Sequence, residues 1–168
     1  MTIDIFTTPQ CGFCKQIKAL LKEHGLAYTE HDVTATDEVL KEMQTLTNGA
    51  MSVPVVVVDK GKSGQGIAVG FDDAKKLLRL GQSAGARPEE RRALANLTCP
   101  KCGHKQQASI PMTSCVPFYL CDGCKQTIQA AGDDCCVFCS YADRPCPLKS
   151  KGGACEGGVC TLRSPHTQ

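Results

Sequence analysis

Ile3-Asp4-Ile5-Phe6, then Thr7-Thr8-Pro9-Gln10, then Cys11-Gly12-Phe13-Cys14-Lys15 open the chain, and this run decides the fold. The first four residues favour a strand, and Pro9 with its polar neighbours breaks it. Ile17, Leu20 and Leu21 then share one face of a helix expected from about Gly12 to His24, with Gly25 as its stop. A Cys-x-x-Cys pair is thereby set at the start of a helix. Unsatisfied N–H groups and the positive dipole end favour a thiolate there, and Lys15 adds positive charge. Cys11 is the candidate nucleophile and Cys14 the candidate resolving thiol. A zinc half-site and a pair of packed thiols are the alternatives; the next cysteine lies as far away as Cys99.

The pattern continues outward from this run. Ala27 to Val33 alternates as a strand. Thr36-Asp37-Glu38 resembles a helix cap ahead of Val39, Leu40, Met43 and Leu46, and Asn48-Gly49 stops that helix. Val53-Pro-Val-Val-Val-Val58 reads as a buried central strand. Ile67 to Gly70 is a further strand, and Asp72-Asp73 opens a last helix carrying Leu77, Leu78 and Leu80. The order is β-α-β-α-β-β-α, an α/β unit over residues 1–82.

Thr8-Pro9-Gln10-Cys11-Gly12-Phe13-Cys14-Lys15, Ser52-Val53-Pro54 and Gly70-Phe71-Asp72-Asp73 together resemble the glutaredoxins. The resemblance implies a thioredoxin fold, thiol–disulfide oxidoreductase activity and glutathione as co-substrate. It implies a cis peptide before Pro54, facing the dithiol, and a Val53 backbone that pairs with a substrate's cysteine. Glutathione would lie against Phe13, Lys15, Val53, Pro54, Gly70, Phe71 and Asp72. Two positions depart from the family pattern: Val69 stands where a second glycine is usual, and Ala50-Met51-Ser52 supplies no cation before Val53. Thioredoxin reductase therefore stands beside glutathione as the reductant, with a protein or small-molecule disulfide as substrate. Cys-Gly-Phe-Cys is also similar to the Cys-Gly-Phe-Ser of iron–sulfur-carrying monothiol members. Cys14 points to dithiol chemistry; a cluster bridging two protomers is the other reading.

The chain has 168 residues and 13 cysteines, of which only Cys11 and Cys14 precede residue 83. Residues 83–97 read as a linker with a short helix starting at Pro88-Glu89-Glu90. Residues 98–148 read as a small ribbon, and 149–168 as a flexible tail carrying Cys155 and Cys160. So little apolar material in the second half suggests that metal or disulfide cross-links replace a core. Cys99-Pro-Lys-Cys102 and Cys121-Asp-Gly-Cys124 are separated by eighteen residues, the spacing of two zinc knuckles, with Pro100, Gly103 and Gly123 shaping them. Zinc is the expected metal, with iron as the alternative and two disulfides as the non-metal reading. His104 reads as an exposed histidine.

Gly132-Asp-Asp-Cys135-Cys136-Val-Phe-Cys139, with Cys146 beyond, resembles the GDCCVxC-type cysteine-rich proteins across residues 98–148. Cys115, Cys135, Cys136, Cys139 and Cys146 could supply a second thiolate site for zinc, copper(I) or mercury(II), or an exchangeable disulfide relay. Adjacent Cys135 and Cys136 are not expected to share one metal. The ribbon and its thiols are then a relay, a substrate or a targeting module for the dithiol. The alternative is soft-metal binding or trafficking, with the first part keeping those thiols reduced.

Charge excludes little else. Lys and Arg number 9 against 10 Asp and Glu through residue 82, and 10 against 7 beyond it, so no field invites nucleic acid. No basic apolar leader and no run of about 18 apolar residues is present, so the expectation is a cytoplasmic protein without a membrane partner. Reduced, metal-bound or redox-cycling cysteines follow from that compartment.

Overall fold

The computed structural model describes residues 1–80, 93–132, 134–150, 154–156 and 159–161, the last two stretches by backbone alone. Strand β1 (Ile3–Thr7) runs into helix α1 (Gly12–Glu23), then β2 (Thr29–Asp32), α2 (Asp37–Leu46), β3 (Val55–Val58), β4 (Gly66–Val69) and α3 (Phe71–Leu77). The sheet order is β2-β1-β3-β4, with β1 and β2 parallel and the other neighbours antiparallel. This is the β-α-β-α-β-β-α order that the periodicities call for and the thioredoxin fold that the resemblance implies.

Local chemistry explains the element ends. The Cys11 side chain caps α1 by accepting from the Cys14 N–H at 3.1 Å. The Thr36 hydroxyl caps α2, and Asn48 and Gly49 leave it through positive φ. Alternation in the strands splits the sheet's two faces. Ile3, Ile5 and Val56 join Ile17 and Leu21 of α1 and Ala74 of α3 in one core. Phe6, Val55 and Val57 face the other way, toward Val33 and Met43.

That second core does not stop at the first half. It continues without a break into Ala95, Leu97, Ala108, Ile110, Val116, Phe118, Ile128, Val137 and Phe138. The cysteine-rich part thus shares a core with the sheet instead of replacing one by cross-links. Each such Leu, Val or Phe contributes about 1.5–3 kcal/mol on burial, so the seam between the halves is an apolar interior.

The second part contains two antiparallel pairs, β5 (Ala93–Thr98) with β6 (Lys105–Ile110) and β7 (Phe118–Leu120) with β8 (Thr127–Gln129). Two short helices follow, α4 (Val137–Tyr141) and α5 (Pro147–Ser150). The helix expected up to Leu97 is corrected over its last residues: Ala93 to Thr98 is a strand. Ala95 and Leu97 point inward while Leu94 and Asn96 face out, a period of two that the β6 ladder reads. The start of that expected helix, at Pro88, lies outside the described residues.

The tail is corrected as well. Ala154–Glu156 (β9) and Val159–Thr161 (β10) form an antiparallel pair with Cys155 opposite Cys160, and β10 lies against α1 and α5. The sequence sets Gly157-Gly158 between two β-favouring triplets, a hairpin composition that a glycine-rich reading passes over. The remaining tail residues lie outside those described. Among the described residues, no helix is long and apolar enough to cross a membrane.

Candidate functional site: a dithiol under a cysteine-rich cover

Cys11 and Cys14 sit at the amino-terminal end of α1, as the spacing predicts, and both are fully buried. The Val53–Pro54 peptide is cis. The Cys11 thiol lies 3.8 Å from the Val53 carbonyl, so Val53 adjoins the dithiol directly. Phe13 is buried, with its ring 6.4 Å from that of Phe71; Lys15 is exposed on α1. Gly70 donates its N–H to the Pro54 carbonyl at 2.8 Å, placing the Gly70-Phe71-Asp72 turn beside the cis peptide.

The residues assigned to glutathione are therefore gathered around one place, and a segment of the same chain occupies it. Cys115 and Val53 form an antiparallel bridge, each N–H donating to the other's carbonyl at 2.8 Å. Phe71 N–H donates to the Thr113 carbonyl at 2.9 Å, and Thr113 Oγ1 comes within 3.3 Å of where a Cβ on Gly70 would stand. On its other side the same segment is held by the second half: Val137 N–H donates to Val116 O and Ala130 N–H to Pro117 O, both at 2.9 Å.

This cover overturns one electrostatic expectation. Capping geometry favours a Cys11 thiolate, yet burial dominates and pushes the thiol well above its usual range; Cys115 and the Cys14 N–H pull the other way without winning. Cys115 is pushed up too, first by Cys11 and then by its own burial, against a lowering by Cys135. Cys115 thus stands beside Cys11 through Val53, and its neighbour Val116 is tied to Val137, next to Cys136.

Cys99, Cys102, Cys121 and Cys124 come together as the knuckle spacing predicts, all four sulfurs within 4.8 Å of one another. Cys99–Cys124 is 3.9 Å and Cys102–Cys121 is 3.7 Å. A tetrahedral Zn–S length of about 2.3 Å requires S···S edges of about 3.8 Å, so these residues fit zinc. The knuckles are built alike: Gly103 N–H donates to Cys99 O and Lys125 N–H to Cys121 O, at 2.9 Å each, with φ of 71° and 58°. The left-handed position of the second knuckle therefore falls on Lys125, not on Gly123. Desolvation pushes Cys99 up, but the N–H groups of Cys102 and Lys101 hold it down at about 7. The His104 N–H pulls Cys102 down, yet desolvation and the other thiols push it up to about 12. His104 is exposed and is not among the four ligand candidates.

A second quartet forms from Cys135, Cys136, Cys139 and Cys146. Its contacts are 3.7 Å for Cys135–Cys139 and Cys135–Cys146 and 3.5 Å for Cys136–Cys139. Two expectations change here. Cys135 and Cys136 do share one cluster, because Cys136 is the cap residue of α4 and the chain bends there, bringing its sulfur back toward Cys139 in the first turn. Cys115 is not a member; it belongs to the dithiol side. Within the quartet Cys135 is raised, first by Cys115, while Cys146 is lowered by Cys135, Cys136 and Cys139. Four thiolates at this spacing would repel one another, so the quartet keeps protons unless a cation neutralises it.

The seating of Cys115 is what sequence reasoning missed. About a hundred residues separate it from Cys11, and no local pattern links them. The available signal was Ser114-Cys115-Val116-Pro117, an extended β-favouring stretch whose cysteine lies well ahead of the other thiols it was grouped with.

Known proteins resemble the first half. The family described as Glutaredoxin matches residues 3–62. A protein named "Probable glutaredoxin ssr2061" from Synechocystis is 33% identical over 57 residues, covering 34% of this chain and 65% of that protein. Glutaredoxin 3 of Danio rerio is 33% identical over 81 residues, covering 48% of this chain and 23% of that protein. The chain thus spans less than two thirds of the length of either relative. The solution structure of a glutaredoxin from Brucella melitensis is 30% identical, covers 48% of this chain and 82% of its own, and superposes with a TM-score of 0.38. The matched stretch holds Cys11, Cys14 and Pro54, and the amino-terminal part of this chain is glutaredoxin-like.

Proposed function

We propose that the chain is a thiol–disulfide oxidoreductase in which Cys11 attacks a disulfide and Cys14 resolves the mixed disulfide. The observation that carries this is the pair at the cap of α1, facing a cis-proline whose preceding carbonyl lies 3.8 Å from Cys11. In the forward step the Cys11 thiolate bonds to one substrate sulfur and the other leaves as a thiolate. The Cys14 thiolate then attacks Cys11 Sγ, releasing the reduced substrate and leaving a Cys11–Cys14 disulfide. Glutathione or thioredoxin reductase returns it to the dithiol. The work is cytoplasmic, on protein or small-molecule disulfides, by a glutaredoxin-like domain over residues 1–82 joined to a ribbon over 98–148.

Cys99, Cys102, Cys121 and Cys124 hold zinc, with iron as the other candidate; four thiolates leave no open position, so the metal ties the β5–β6 and β7–β8 pairs together. A second reading, soft-metal handling, is favoured by the Cys135, Cys136, Cys139 and Cys146 quartet. Disulfide-reductase assays with metal analysis separate the two. Cys11→Ser is expected to abolish reduction of a small disulfide and leave metal content unchanged. Loss of activity in Cys136→Ser and Cys139→Ser, with Cys11→Ser still active, would overturn the assignment.

A further inference from the structure

A nucleophile that serves external disulfides has to be reachable, and here Cys11 and Cys14 are both 0% exposed. What covers them presents a thiol of its own. Cys115, 1% exposed, is clamped to Val53 by two backbone hydrogen bonds, and the Val53 carbonyl that accepts from Cys115 N–H also lies 3.8 Å from Cys11 Sγ. The Thr113–Pro117 segment carrying it is fixed from both halves, by Val53 and Phe71 on one side and Val137 and Ala130 on the other. A packing segment needs neither a cysteine at this point nor four anchors around it.

We propose that Cys115 is a built-in substrate of the dithiol, exchanging disulfides with Cys11 inside one chain. The proposal rests on the dithiol reading above. Starting from a Cys11–Cys14 disulfide, the Cys115 thiolate attacks Cys11 Sγ, the Cys11–Cys115 bond forms, and Cys14 leaves as a thiolate. One S–S bond breaks and one forms, with no net oxidant or reductant consumed. In the reverse step Cys14 attacks Cys11 Sγ and expels Cys115.

Effective concentration decides the competition with free thiols. A tethered partner acts at about 1 mM or more, so against about 10 µM free glutathione the internal bond is favoured by about 100-fold. The burial that raises both thiols slows the exchange at neutral pH without changing this ratio.

The test uses the full chain, oxidised glutathione as the probe, and peptide mapping by mass spectrometry. In Cys14→Ser, Cys115 is expected to enter a disulfide with Cys11, and Cys11 to carry about 100-fold less glutathione than in Cys14→Ser/Cys115→Ser. In Cys11→Ser/Cys14→Ser, Cys115 is expected to stay reduced. A stable glutathione adduct on Cys11 beside a free Cys115 in Cys14→Ser would overturn the proposal, as would Cys115 oxidation that does not need Cys11. If the Cys14→Ser/Cys115→Ser chain takes no adduct at Cys11 and the wild type forms no Cys11–Cys14 disulfide, the dithiol reading itself fails.

Discussion

The two cysteine quartets offer a metal the same four thiols at nearly the same spacing, and they differ in where the fold puts them. The first hangs on the turns of two hairpins, with Cys102 exposed. The second packs at the seam, with Cys135, Cys136 and Cys146 buried and the Cys115 segment held between Val53, beside the dithiol, and Val137, beside Cys136. Identical ligand sets can therefore take unlike roles. A quartet on hairpin turns ties strands together; one bordering a thiol-exchange site is exposed to that chemistry. Neighbours, not ligands, would then separate a structural cluster from an exchangeable one.

Breaking the first quartet should have the largest effect. Cys99→Ser is expected to release its metal and melt β5 to β8, because metal binding there is folding free energy. Amide exchange and metal analysis would show protection lost across Ala93–Gln129, while the β1–β4 sheet keeps its own. Next in size is the seam. Leu97 is fully buried in the shared core, so Leu97→Ala should cost about 2–5 kcal/mol, read from urea midpoints, and should speed alkylation of Cys11. A stability loss with no change at Cys11 would mean that the seam does not guard the dithiol.

Gly70→Ala probes the same contact from the sheet side. Gly70 has φ of 96° and faces Thr113, so an added Cβ should cost about 1–3 kcal/mol and loosen the cover. The smallest effect is on pH dependence. Burial holds the Cys11 thiol above its usual range, so the folded chain keeps a proton that the unfolded chain gives up. That stability is fully present below the unfolded thiol's pKa of about 8.5 and is lost as pH rises through the folded value. The gap in urea midpoint between wild type and Cys11→Ser should shrink from pH 7 to pH 10; a constant gap would contradict the assigned burial.

What the sequence made legible was local. Cys11-Gly-Phe-Cys14 announces a capped helix, and Val53 to Val58 a buried strand. Two Cys-x-x-Cys turns announce a tetrahedral cluster. Each is a short-range pattern with one physical solution. What stayed hidden depends on partners distant in the chain. Ala93-Leu-Ala-Asn-Leu-Thr98 is rich in helix formers, and only its ladder with Lys105–Ile110 makes it a strand. The shared core was hidden because Val55 and Val57 look equally satisfied by a helix of their own half. The place of Cys115 follows from that docking, which no spacing encodes.

The central claim is that Cys115 is seated on Val53 over the dithiol. Residue-resolved amide exchange on the reduced full-length chain tests it most directly, through the Val53 and Cys115 N–H groups that bond across the seam. The account predicts that both are protected to the level of the β3 strand and lose protection together in Leu97→Ala. Rapid exchange at both in the wild type, with β3 still protected, would contradict it.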